Sequence, residues 1–110
     1  MPKEIDEETK EILISFIAEG YERLDDSEAQ LAKIGGSDDT AVLNSVFRLF
    51  HSVKGSAGFL GFEGIKSLTH EAETLLDVFL KEKHPVDQES LDVIFATIDV
   101  LRTLIGIVER

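Results

Sequence analysis

The segment His51-Ser52-Val53-Lys54-Gly55-Ser56-Ala57-Gly58-Phe59-Leu60-Gly61-Phe62 decides how the rest of the chain is read. At about 100° per residue, Val42, Val46, Leu49, Val53, Ala57 and Leu60 fall on one stripe of a helix, and His51 points roughly 150° away from it. The histidine is therefore expected to face water. Lys54, Gly55 and Gly58 follow it by three, four and seven positions and share its face. Glycine costs a helix interior about 0.5–1 kcal/mol relative to alanine, so two glycines this close together need a reason. Access supplies one: without a β-carbon beside it, the imidazole can be approached by a partner's backbone or by a phosphoryl group. An imidazole of ordinary pKa, about 6.5, is largely uncharged at neutral pH and can act as a nucleophile. Lys54, one turn on, would offset the charge of an arriving phosphoryl group.

Outward from this segment, four amphipathic helices are predicted. Over 5–34, Leu13, Ile17, Leu24, Leu31 and Ile34 keep one side, Phe16 and Tyr21 widen it, and Gly35-Gly36 ends it. Ser37-Asp38-Asp39-Thr40 offers N-cap candidates for the helix over 39–59 that carries His51. Gly58 to Gly64 is read as a turn. A third helix over 63–82 points Ile65, Leu68, Ala72, Leu75, Leu76 and Phe79 inward, and Lys81-Glu82-Lys83-His84-Pro85 breaks it. His84 is read as a loop residue. Asp87 is a plausible N-cap for a fourth helix over 87–109, with Leu91, Ile94, Ile98, Leu101, Ile105 and Val108 as its stripe. Four such stripes joined by short connections can be buried only against one another. The expected fold is all-α, an antiparallel up-down-up-down four-helix bundle formed by a single domain over 1–110.

Counting outward from the turn near Gly61 places His51 about ten residues before it and His70 and Glu73 nine to twelve after it. All three are expected at a similar height. Glu73 accepting a hydrogen bond from one ring N–H of His51 would fix the tautomer whose other nitrogen has a lone pair facing solvent, and would raise the basicity of the ring. Read alone, Glu73 is equally an ordinary solvated carboxylate, and His70 either tunes the site or is one more polar residue. Phe47, one turn before His51, is a flanking core residue or an exposed contact beside it, with Arg48 at its border.

Eleven basic against twenty-two acidic residues give a net charge of −11, which makes nucleic acid and anionic membranes poor partners. With no cysteine there is no disulfide, thiolate nucleophile or zinc-thiolate site, in keeping with a cytoplasmic protein. No stretch reads as a membrane span, and Met1-Pro2-Lys3-Glu4-Ile5-Asp6 has no signal-peptide core. A metal site would have to draw on His51, His70 and Glu73, without the paired Glu-x-x-His segments of di-iron bundles, so no bound metal is expected. Nucleotide-binding loops and clustered aspartates for Mg²⁺ are missing too. A different class of function is a non-catalytic bundle that docks a partner helix or dimerises through Phe47.

The His51–Phe62 segment, with His70 and Glu73 on the next helix, resembles the phosphorylation-site pattern of histidine phosphotransfer (HPt) domains. Within that family it is most similar to the N-terminal phosphoacceptor domains of chemotaxis histidine kinases of the CheA type. The resemblance covers nearly the whole chain. It implies that Nε2 of His51 accepts a phosphoryl group, that Glu73 holds Nδ1, and that Lys54 and His70 complete a hydrogen-bonded group. It also implies a parent histidine kinase whose ATP-binding core phosphorylates His51 in trans, and receiver domains of the chemotaxis regulator and methylesterase type as acceptors. ATP and Mg²⁺ would then be supplied through those partners, and none bound here.

Overall fold

The computed structural model describes residues 7–34, 39–82 and 86–109. Four helices occupy nearly all of them: α1 (Glu7–Leu31), α2 (Asp39–Leu60), α3 (Glu63–Glu82) and α4 (Gln88–Glu109). Each packs against its two neighbours in a ring, α1 on α2, α2 on α3, α3 on α4 and α4 on α1, giving a rod of 50 × 19 × 19 Å. This is the expected up-down-up-down bundle, and the described residues include no strand.

Three of the four core seams advance by alternating steps of three and four residues: Leu43, Val46, Phe50, Val53 and Ala57 on α2, Ile65, Thr69, Ala72, Leu76 and Phe79 on α3, and Leu91, Ile94, Ile98, Leu101 and Ile105 on α4. That spacing averages 3.5 residues and keeps an apolar seam facing its partners when helices cross at about 20°. The α4 seam is the one expected from the sequence, with Val108 half-buried at its end. On α2 the expected stripe was displaced. Leu43 and Phe50 take its centre, while Val42, Leu49 and Leu60 are half-buried at its edges. Phe50 wins over Leu49 because it is the larger apolar side chain, and it is fully buried. The rotation leaves His51 about 120° from the middle of the seam, on the flank toward α3, rather than pointing straight out.

On α1, Phe16, Gly20, Leu24, Ser27 and Leu31 are buried, while Leu13 and Ile17 are only half-buried. Gly20 and Ser27 were not expected inside. A β-carbon at Gly20 would stand 3.0 Å from Cδ1 of Ile105, so glycine lets α4 approach. The Ser27 hydroxyl is satisfied by donating to the Arg23 carbonyl at 2.8 Å. On α3, Leu68 and Leu75 give way at the centre to Thr69, whose hydroxyl donates to the Ile65 carbonyl.

The helix ends follow local chemistry. α1 stops at Leu31, short of the expected 34, in tight turns that bond Lys33 N–H to the Gln30 carbonyl and Ile34 N–H to the Leu31 carbonyl. The α2–α3 connection is shorter than expected, only Gly61 and Phe62. Gly61 adopts φ 80°, and the Gly61 and Phe62 N–H groups donate back to the carbonyls of Gly58 and Ala57 at 3.2 and 2.8 Å. This is a Schellman cap, whose left-handed residue glycine occupies without strain. Phe62 then packs on Phe16, ring centroids 5.5 Å apart. Asp87 caps α4 as expected, accepting from Ser90 N–H at 2.7 Å, a bond that holds its carboxyl below the ordinary range. Gly35, Gly36, Ser37, Asp38, His84 and Pro85 lie outside the described residues.

Arg102 clasps α4 to α1. Its guanidinium donates to Asp25 Oδ1 at 2.8 Å, to Glu28 Oε1 and Oε2 at 3.0 Å, and to Asp99 Oδ1 at 2.9 Å on its own helix. These hydrogen bonds hold the Glu28 carboxyl below its ordinary value. A depressed folded-state pKa contributes stability above the unfolded value, about 4.5, and loses it as pH falls through the folded one. Glu28 is 42 % exposed, which limits the expected effect to about 1 kcal/mol or less. Urea unfolding of the wild type and Arg102→Met should therefore differ at pH 7 and converge near pH 3; a gap that stays constant would remove Glu28 from the linkage.

Candidate functional site

The two-residue turn at Gly61 fixes the register of α2 against α3. His51 lies ten residues before Gly61 and Glu73 twelve after it, and at 1.5 Å of rise per residue the two meet across the interface. His51 Nδ1 stands 3.1 Å from Glu73 Oε2, and Lys54 Nζ stands 2.9 Å from Glu73 Oε1. The Glu73 side chain is 6 % exposed and that of His51 65 %. A buried carboxylate is costly unless paired, and this one faces a cation on one oxygen and an imidazole on the other. Lys54 compensates the charge of Oε1 without an aligned hydrogen bond to it.

The chemistry of the imidazole follows from this pairing. An ionised carboxylate only accepts, so the contact places the ring proton on Nδ1. Nε2 then holds an unshared pair on the exposed side of the ring. Phe47 lies parallel to the imidazole, 9° between planes and 6.4 Å between centroids. Phe47 itself is half-buried and packs against the core cluster, with part of its surface open.

His70 sits on the same side of α3 but is exposed, and its ring makes no hydrogen bond among the described residues. It lines, with Phe47, Glu73, Thr74 and Asp77, a depression of about 170 Å³ beside the imidazole. Thr74 and Asp77 had not been singled out from the sequence, although each lies four residues after a candidate, His70 and Glu73. The two glycines separate. A β-carbon at Gly58 would lie 3.4 Å from Cδ of Lys66, about an ordinary contact with a flexible side chain, whereas one at Gly55 would meet nothing within 4 Å. Among the described residues, no contact requires glycine at 55.

A larger cleft, about 370 Å³, opens between α1 and α2 and does not include His51. Glu8, Glu11 and Glu19 line it, a charge unsuited to a phosphoryl group. Among the described residues, no three His, Asp or Glu side chains are grouped to hold a metal ion, and no helix is long and apolar enough to cross a membrane.

The Hpt domain family model matches residues 11–109. The chemotaxis protein CheA of Rhizobium meliloti (strain 1021) is 38 % identical over 98 residues, covering 88 % of this chain and 12 % of that protein. The sensor histidine kinase CheAY of Helicobacter pylori is 29 % identical over 100 residues, covering 90 % of this chain and again 12 % of its own length. The chain thus spans about an eighth of these relatives. Among solved structures, the CheA phosphotransferase domain from Thermotoga maritima matches with a TM-score of 0.83 at 29 % identity, covering 91 % of this chain and 96 % of that one. Matched over nearly all of its helical length by the family model, and carrying an exposed histidine held by a buried glutamate, the chain belongs to the Hpt domain family.

Proposed function

We propose that His51 is the phosphoacceptor of a histidine phosphotransfer step in chemotaxis-type two-component signalling. The observation that carries this reading is the 3.1 Å contact of Nδ1 with buried Glu73 in a side chain that is itself 65 % exposed, an arrangement that favours the tautomer with its lone pair on Nε2. The lone pair of Nε2 attacks the γ-phosphorus of ATP held by a histidine-kinase core, the bond from that phosphorus to the β,γ-bridging oxygen breaks, and ADP leaves. In the second step a carboxylate oxygen of a receiver aspartate attacks the same phosphorus and the N–P bond breaks. Phosphoryl transfer depends on positioning and charge neutralisation, and this domain supplies the first through Glu73 and part of the second through Lys54. The donor is the ATP-binding domain of the parent kinase acting in trans. The acceptors are receivers of the chemotaxis regulator and methylesterase type. Nucleotide and Mg²⁺ belong to those partners, and the domain works in the cytoplasm.

Lys54→Ala should slow labelling of His51 by a kinase core about tenfold, equivalent to about 1.4 kcal/mol of barrier, with helicity by circular dichroism unchanged. An unchanged rate would remove Lys54 from the reaction. Gly55→Ala separates access from folding. Alanine should raise stability by about 0.5–1 kcal/mol, because the site has room for it, yet slow exchange with both partners. Full-speed exchange in a stabilised Gly55→Ala would mean that no partner needs the space.

A further inference from the structure

Lys66 lies five residues after Gly61 and Gly58 three before it, so the two-residue turn sets the lysine stem across the glycine. Cδ, Cε and Nζ of Lys66 stand 3.4, 3.7 and 4.0 Å from the place a Gly58 β-carbon would take. The stem is laid along α2, and the residue as a whole is exposed. Gly58 follows His51 by seven residues, within about 20° of it around α2, and Arg48 precedes His51 by three, within about 60°. Lys66 and exposed Arg48 therefore bracket the imidazole, about 15 Å apart along α2, with open Gly55 between them. The other cations near the bundle surface are largely committed: Arg23, Lys54, Lys81 and Arg102 are each paired with carboxylates, Lys54 with Glu73 at 2.9 Å. Lys66 and Arg48 make no ion pair among the described residues, although Glu63 lies one turn before Lys66.

We infer that Lys66 is a docking residue for the acceptor receiver, meeting a carboxylate on the rim of its phosphorylation site while Arg48 meets the opposite rim. The assignment rests on the phosphotransfer reading of His51. In that step the attacking group is itself a carboxylate, and Mg²⁺ beside a transferring phosphoryl group is held through carboxylates, so the surface that closes on His51 is anionic. A chain of net charge −11 repels such a surface, and two unpaired cations beside the imidazole reverse that repulsion locally. Lys54 is already shared with Glu73 and leaves this task to them. The kinase core fits less well: in-line attack on the γ-phosphorus sends ADP straight away from Nε2, so the nucleotide charge does not run along α2 toward Lys66. Lys66 thus selects and orients the acceptor without touching the reacting atoms.

The test labels each chain with phosphoramidate, which needs no protein partner, and follows quenched-flow transfer to a receiver of the chemotaxis regulator type with Mg²⁺. Lys66→Glu should raise KM for the receiver about tenfold with kcat unchanged, and the gap should close as salt rises from about 50 to about 500 mM. Lys66→Arg should keep the wild-type KM. Lys10→Glu, the same change of net charge at an exposed position on α1, should keep it too. An equal rise in KM for Lys66→Glu and Lys10→Glu would reduce the effect to overall charge and overturn the inference. So would a loss in kcat, a gap indifferent to salt, or a defect seen only in labelling by a kinase core. A wild-type chain that takes no label at His51 would instead overturn the phosphotransfer reading, and the docking role with it.

Discussion

His51→Gln is expected to give a bundle of unchanged helicity and melting temperature that takes up no phosphoryl group from a kinase core or from phosphoramidate. The side chain is 65 % exposed and contributes little packing, so its loss costs the fold little. Glutamine preserves a polar group near Glu73 but has no lone pair able to form an N–P bond, and the loss of labelling should be complete rather than partial. Intact mass after incubation with donor is the readout. Residual labelling above a few per cent of wild type would mean that another side chain, with His70 the nearest candidate, accepts phosphate.

Glu73→Ala is the second large effect. It removes the acceptor 3.1 Å from Nδ1 and the counter-charge 2.9 Å from Lys54. The imidazole is then free to carry its proton on Nε2 and to turn away, and labelling by either donor should fall about 10- to 100-fold, the usual cost when the partner that orients a working histidine is lost. Glu73→Gln restores an acceptor for the Nδ1 proton but not the charge, and should recover part of that loss. Equal rates in Ala and Gln would show that charge alone matters, and wild-type rates in both would exclude Glu73 from the site.

Much of this was legible because it depends on periodicity and counting. The α4 seam is an almost unbroken series of Leu and Ile with polar residues elsewhere, so only one phase fits it. The meeting of His51 and Glu73 follows from similar distances, ten and twelve residues, on either side of Gly61, a glycine whose φ of 80° fixes the turn. Asp87 was readable as a cap because nothing else near that end could serve. Where two phases were possible, the sequence did not choose. Val42 adjoins Leu43 and Leu49 adjoins Phe50, and only three-dimensional packing decides which of each pair goes inside. Gly20 and Ser27 were missed because their burial reflects the closeness of α4 and not their own hydrophobicity. The different surroundings of Gly55 and Gly58 depend on where the stem of Lys66 lies, which no local pattern encodes. His70 shares the helix face of Glu73 and still makes no ring hydrogen bond among the described residues, because i and i+3 neighbours on a helix need not reach the same partner.

The most direct test of the proposed site is to identify which ring nitrogen carries phosphorus. The ¹⁵N-histidine-labelled chain would be phosphorylated and examined by phosphorus- and nitrogen-edited NMR, which distinguishes the two ring positions and the three histidines. A single phosphoryl group on Nε2 of His51, with Nδ1 still protonated and hydrogen-bonded, is the expected result. Phosphorus on Nδ1, on His70 or on His84 would contradict the role of Glu73 as the group that leaves Nε2 free to react.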